Sequence, residues 1–181
     1  MGMAVSIPFY TVDDLATFPD DGNRYELLDG VLLVTPLANQ EHQVIAARLI
    51  HLLLEALAGS PVRVVGPGAV MSEPKTQLEP DVLVYPSRFP VNVRWSEVTE
   101  HWLAVEIFSP ASRIYDREFK RDAYLNLGVR EVWLVDADSR SVEISRAPGA
   151  SEHVSDVITW RPPTLDVNVR IELADLFAGI E

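Results

Sequence analysis

Two carboxylates stand where carboxylates are expensive. Asp81 opens the apolar run Asp-Val-Leu-Val, and Glu106 lies inside Leu-Ala-Val-Glu-Ile-Phe. A charge in an apolar strand is strongly destabilising unless it is paired or ligates a metal, and two of them on neighbouring strands also repel each other. A shared divalent cation removes both penalties. Hard ions such as Mg²⁺ take oxygen ligands, use one or two carboxylates and complete the shell with water, and water bound to such an ion is acidic enough to become a nucleophile. Taken singly, each acid reads equally well as a strand end facing solvent; taken together, Asp81 and Glu106 favour an ion held between them.

Lys120 follows Glu106 by 14 residues, on the next helical segment. An ammonium beside the ion can orient water and stabilise charge building on a phosphate. Asp116, Lys120 and Tyr124 are four apart and share a helix face. Without its neighbours, the pair Asp116–Lys120 reads as an exposed ion pair worth about 0.3–0.5 kcal/mol. Glu26 takes the strand face opposite Tyr25 and Leu27, either as a further ligand or as an exposed strand residue. His42 lies on the apolar side of a helix with Ile45 and Leu49, where a core or capping histidine is favoured over a ligand. His51, His101 and His153 have no metal-ligand spacing. Ser109, just before Pro110, has no histidine placed to activate it, so capping is favoured over nucleophilic catalysis. Phosphate-cradling Gly-x-x-x-x-Gly-Lys, dinucleotide Gly-x-Gly-x-x-Gly and Gly-x-Ser-x-Gly patterns are missing.

The elements that must hold these residues can be read from periodicity. Thr11 to Phe18 is expected as a short helix capped by Thr11, with Asp13 and Asp14 in its first turn. Tyr25 to Pro36 is expected as a hairpin turning at Asp29-Gly30. Asn39 caps a long helix to about Leu57, with Ile45, Leu49, Leu52, Leu53 and Ala56 as its apolar stripe. Val62 to Met71 reads as one strand interrupted by Gly66-Pro67-Gly68. Strands follow at Asp81 to Tyr85, Trp102 to Phe108, Glu131 to Asp136 and Ser141 to Ser145. Pro86 to Glu100 is read as loop, Arg113 to Leu127 as a helix ended by Gly128, and the tail after Arg161-Pro162-Pro163 as one short element. This order gives a mixed sheet flanked by helices, in the α/β or α+β class.

Composition is consistent with that reading. The chain has 181 residues, 48% of them hydrophobic, enough for a substantial core. One domain over 1–181 is expected, with 1–36 as an N-terminal helix and hairpin extension and 37–181 as the core. Cysteine is missing, which excludes disulfides and thiolate chemistry and fits a reducing compartment. A secretory signal is not expected at the N-terminus. The longest apolar stretch, near Ile45 to Ala58, is broken by Arg48, His51 and Glu55, so a soluble cytoplasmic protein is expected, without a membrane partner. The net charge of −12 weighs against indiscriminate DNA affinity, which needs cations.

The residues also resemble a known family. The quoted pieces are Tyr25-Glu26-Leu27-Leu28-Asp29-Gly30, His42, Glu79-Pro80-Asp81-Val82, Leu103-Ala104-Val105-Glu106-Ile107-Phe108-Ser109-Pro110, Asp116, Lys120, Tyr124 and Gly128-Val129-Arg130-Glu131-Val132-Trp133. In this order and spacing the chain is similar to the Uma-two family, restriction-endonuclease-like domains of the PD-(D/E)XK nuclease superfamily. The resemblance implies a restriction-endonuclease-like core with a central mixed sheet. It also implies a Mg²⁺- or Mn²⁺-dependent endonuclease hydrolysing phosphodiester bonds in DNA. Pro80-Asp81 and Glu106 look like the superfamily's two acidic positions and would bind the metal. The lysine usually found two residues after the second acid is absent, because Phe108 stands there, and Lys120 fits the slot of a helix-borne replacement. Glu26, His42 and Tyr124 are additional site candidates. A homodimer is consistent with duplex cleavage, by analogy alone. The competing reading is a catalytically inactive binding or assembly module on the same fold.

Overall fold

The computed structural model describes residues 9–109 and 112–180. Pro110, named above, lies outside them. The centre is a six-stranded mixed sheet in the order β10-β9-β8-β7-β6-β3. Its strands are β3 (Val62–Val65), β6 (Val82–Pro86), β7 (Leu103–Ile107), β8 (Val132–Asp136), β9 (Ser141–Ala147) and β10 (Ala150–Val154). β6, β7 and β8 are buried along their whole length, as expected for near-continuous apolar runs covered on both faces. β7 and β8 pair in parallel, while the other neighbours pair antiparallel. A parallel pair needs a crossover. That crossover is the helical segment carrying Asp116, Lys120 and Tyr124.

Alternation along the central strands divides the core in two. Val82, Val84, Leu103, Val105, Ile107, Trp133 and Val135 pack with Ile45, Leu49 and Leu53 of α2 (Gln40–Ala56). Leu83, Tyr85, Ala104, Phe108, Val132 and Leu134 form the opposite layer with Tyr124 and Val129. The N-cap of α2 is Asn39, whose side chain accepts from the His42 N–H at 2.9 Å.

A smaller four-stranded sheet, order β2-β1-β5-β4, lies beside the first. It contains β1 (Asn23–Leu28), β2 (Val31–Pro36), β4 (Val70–Ser72) and β5 (Thr76–Leu78). The β1–β2 turn is Asp29-Gly30, with φ of 51° and 83°, the left-handed pair that a two-residue hairpin turn demands.

Several expected elements differ. The single interrupted strand over Val62 to Met71 is two strands in two different sheets, β3 and β4. Between them Gly66 passes so close to the backbone of Asp81 that a Cβ there would come within 2.4 Å of the Asp81 carbonyl oxygen. The N-terminal helix α1 is a single turn, Val12–Leu15, because Thr11 and Asp14 bond reciprocally and no buried residue holds further turns. The tail contains more than one element: β11 (Val157–Trp160) and β12 (Val169–Glu172) pair antiparallel on either side of the Pro162-Pro163 break, and α5 (Leu173–Leu176) follows. The continuous helix expected over Arg113 to Leu127 is three pieces: α3 (Arg113–Tyr115), a π turn (Asp116–Lys120) and α4 (Arg121–Asn126). Among the described residues no helix is long and apolar enough to cross a membrane.

His101, just before β7, offers a clean pH test. It is buried, and among the described residues its Nε2 has no partner. Burial pushes its imidazole down to about 4, against a weaker upward pull from Glu100. An unfolded histidine takes its proton near pH 6.5. Below that pH the unfolded chain therefore binds a proton that the folded chain refuses. Stability present above pH 6.5 should fall by about 3 kcal/mol as pH drops to 4. Urea unfolding across that range should show His101→Phe losing correspondingly less; parallel profiles for the two proteins would overturn the assignment.

Candidate active site

The register of β6 against β7 brings the two acids together. Val82 pairs with Val105 and Leu83 with Ala104. Asp81 stands just before β6, and its carboxylate accepts the N–H of Ile107, the residue after Glu106, so the two acids meet at one strand edge. Glu106 shares the face of Ala104 and Phe108, the layer of α4. Both acids line an open pocket of about 210 Å³, roomy enough for several waters, an ion or a phosphate group.

Asp81 is held on both oxygens. Oδ1 accepts from Arg24 at 3.1 Å, and Oδ2 meets His42 Nε2 at 2.9 Å and the Ile107 N–H at 2.8 Å. Burial works to raise its pKa, but the His42 ring, the Arg24 guanidinium and the Ile107 N–H outweigh burial and hold Asp81 below the usual carboxylate range. Glu106 goes the other way. Burial, joined by the nearby charges of Asp116, Asp81 and Glu26, pushes it well above that range despite Lys120. Two facing carboxylates with divergent proton affinity are characteristic of a site rather than of a surface.

Lys120 is 1% exposed. Its ammonium lies 2.6 Å from Glu26, 3.3 Å from Glu106 and 3.5 Å from Asp116. Burial alone would lower its pKa, but these carboxylates overcompensate and raise it. The surface pair read from the sequence for Asp116–Lys120 is thus a buried one, because the crossover turns this face against the strands. The start of the crossover is fixed by a two-pronged Arg113–Asp136 bridge at 2.8 and 3.0 Å, with Arg113 and Arg117 stacked on the Phe108 ring.

The remaining candidates converge on the same place. Glu26 is fully buried, not exposed: Oε1 accepts the Glu79 N–H at 2.7 Å and Oε2 accepts Lys120. Each oxygen is engaged, which makes Glu26 a tether for the lysine. The Tyr124 hydroxyl donates to Glu106 Oε1 at 2.6 Å. His42 both starts α2 and holds Asp81. Ser109 is a capping residue: its Oγ accepts the Ser112 N–H at 3.1 Å and meets Ser112 Oγ at 2.9 Å.

Two residues at the pocket were not read as site residues. Arg24 shares the parity of Glu26 in β1 and so its face; that alternation was the available signal. Asp116 is 1% exposed; among the described residues its oxygens lack a close hydrogen bond, and Oδ1 faces the Lys120 ammonium at 3.5 Å. Burial raises its pKa.

These residues suit a hydrated divalent ion better than a closed protein cage. Among the described residues no group of three or more His, Asp or Glu is arranged to hold a metal. Mg²⁺-type ions need only one or two carboxylates plus water. Asp81, Glu106, Asp116 and Glu26 here meet two permanent cations, Arg24 and Lys120, so the carboxylates outnumber the cations they meet.

Comparison with known proteins agrees with this architecture. A family model described as "Uma2: Putative restriction endonuclease" matches residues 12–179. Among solved structures, the chain is similar to "a putative nuclease belonging to DUF820" from Anabaena variabilis ATCC 29413, with a TM-score of 0.74 and 17% identity, covering 92% of this chain and 97% of that one. At that identity the likeness speaks to the mixed α/β fold. No curated protein matches.

Proposed function

The chain belongs to the Uma2 family, and from that premise we propose that it is a Mg²⁺- or Mn²⁺-dependent endonuclease hydrolysing phosphodiester bonds in DNA. The observation that carries this reading is the meeting of Asp81 and Glu106 at one strand edge, in an open pocket whose carboxylates outnumber its permanent cations. Asp81 and Glu106 would hold the ion. When bound, the ion supplies positive charge to the reacting phosphate and acidifies water.

The protein's own residues fix the geometry. The Ile107 N–H and His42 orient Asp81, and the Tyr124 hydroxyl orients Glu106. Glu26, anchored to the backbone at Glu79, holds the Lys120 ammonium beside Glu106. There the lysine can orient attacking water and stabilise charge on the phosphate oxygens. The test is incubation of purified protein with supercoiled, linear and single-stranded DNA in Mn²⁺. Nicked and linear products that vanish with chelator are expected.

One observation favours the inactive module instead: the buried Lys120 ammonium is surrounded by the carboxylates of Glu26, Glu106 and Asp116, in a chain of net charge −12. That reading predicts no cleavage and no heat on Mn²⁺ titration, and this pair of results would overturn the nuclease.

A further inference from the structure

Among the pocket's described residues the permanent cations are Arg24 and Lys120, and they differ in what they have left to offer. Lys120 donates to Glu26 and Glu106, lies 3.5 Å from Asp116 and has a side chain only 2% exposed. Arg24 uses only one nitrogen: Nη1 donates to the Glu79 carbonyl and to Asp81 Oδ1, both at 3.1 Å. Among the described residues its Nε and Nη2 donate to nothing, yet they are not sealed away, since the side chain is 27% exposed and opens on the pocket. The guanidinium is therefore pinned on its protein side and open on its pocket side.

A planar fork with free N–H groups recognises the paired oxygens of a phosphate, and one already immobilised loses little entropy in doing so. The same pocket presents Asn23, Gln43 and Ser112, neutral donors of the kind that contact nucleic-acid backbones. We propose that Arg24 is the substrate-anchoring residue, holding a backbone phosphate next to the ion bound by Asp81. The inference rests on the nuclease reading of the pocket. It also implies an order of binding. The excess of carboxylates repels a phosphate until a divalent cation has neutralised it, so anion binding should require metal.

Inorganic phosphate tests the subsite without depending on cleavage. Calorimetric titration of the full chain should show phosphate binding with Mg²⁺ and none in chelator. Arg24→Gln should weaken the Mg²⁺-dependent phosphate affinity by about 10- to 100-fold, and Arg24→Lys, which keeps the charge but not the fork, should fall between. Titration with Mg²⁺ alone should show Arg24→Gln retaining or gaining metal affinity, because a cation beside Asp81 has been removed. On DNA, Arg24→Gln should raise KM more than it lowers kcat. Undiminished phosphate affinity in Arg24→Gln overturns the proposal, as does wild-type protein that ignores phosphate. Parallel loss of metal and phosphate also overturns it, by assigning Arg24 to holding Asp81 in place. Arg24-dependent phosphate binding by a wild type that cuts no DNA would instead sink the nuclease and leave the subsite standing.

Discussion

Lys120→Met should lower the unfolding free energy by about 3–5 kcal/mol, the range seen when one partner of a buried ion pair is removed and the other stays. Methionine keeps most of the apolar stem, so the loss isolates the ammonium rather than a cavity. Without it, among the described residues, Glu26 Oε2 has no donor, and Glu106 and Asp116 lose the cation set between them. Three buried carboxylates cannot stay ionised together in so small a volume, so the variant must take up protons or loosen the crossover. Urea unfolding at neutral pH reads the cost directly. A second substitution sharpens the argument. Glu26→Gln added to Lys120→Met removes a charge that the single variant strands, so the double variant should be more stable than Lys120→Met alone. A single-variant loss below about 1 kcal/mol would mean that the ammonium is hydrated rather than enclosed. In the cleavage assay, at a temperature where the variant is folded, turnover should fall by about 10²–10³-fold.

That lysine also shows where sequence reasoning stops. Its spacing from Asp116 and Tyr124 is local and readable, as are the apolar stripe of α2, the strands that became β6, β7 and β8, and the Asp29-Gly30 turn. All of these express periodicity within one segment. Burial of Lys120, however, depends on which strand the crossover covers, and the same spacing describes an exposed helix face equally well. Glu26 was open between ligand and solvent for the same reason: β1 finds its second neighbour in β5, a three-residue strand of Thr-Gln-Leu too short and too polar to announce itself. β10 is largely exposed and β12 has only four residues, so neither produces a pattern that a turn-rich loop could not. The π turn has no signature in composition; it is visible only once Asp116 and Lys120 must both reach inward. Arg24 was legible in principle, through parity with Glu26, but a charged hairpin residue carries no mark of burial until its partner Asp81 arrives from 57 residues away.

Glu106→Gln should abolish the response to divalent metal while leaving the metal-free fold nearly untouched, and this combination is what distinguishes a ligand from a structural acid. Burial pushes the Glu106 carboxyl well above its ordinary range, so a charge there is costly when no ion is present. Glutamine matches the side chain in size without the charge. Its carbonyl can accept from Tyr124 and Lys120 as Oε1 does now. Stability in chelator should therefore change by no more than about 1 kcal/mol. Metal binding reverses the preference. An ion favours the anion, which glutamine cannot become, and Asp81 alone leaves the ion with a single carboxylate whose oxygens already serve Arg24, His42 and Ile107. For wild-type protein, Mn²⁺ at about 100 times its dissociation constant should add about 2.7 kcal/mol of stability. Glu106→Gln should show little of that increment, and its Mn²⁺-dependent cleavage should fall by at least about 10³-fold, or roughly 4 kcal/mol of transition-state stabilisation. Thermal unfolding with and without Mn²⁺ measures the first, and plasmid nicking the second. A variant that is badly destabilised in chelator would show Glu106 to be an obligatory charge in the Lys120 cluster. One that keeps its Mn²⁺ shift and its nicking activity would remove Glu106 from the metal site.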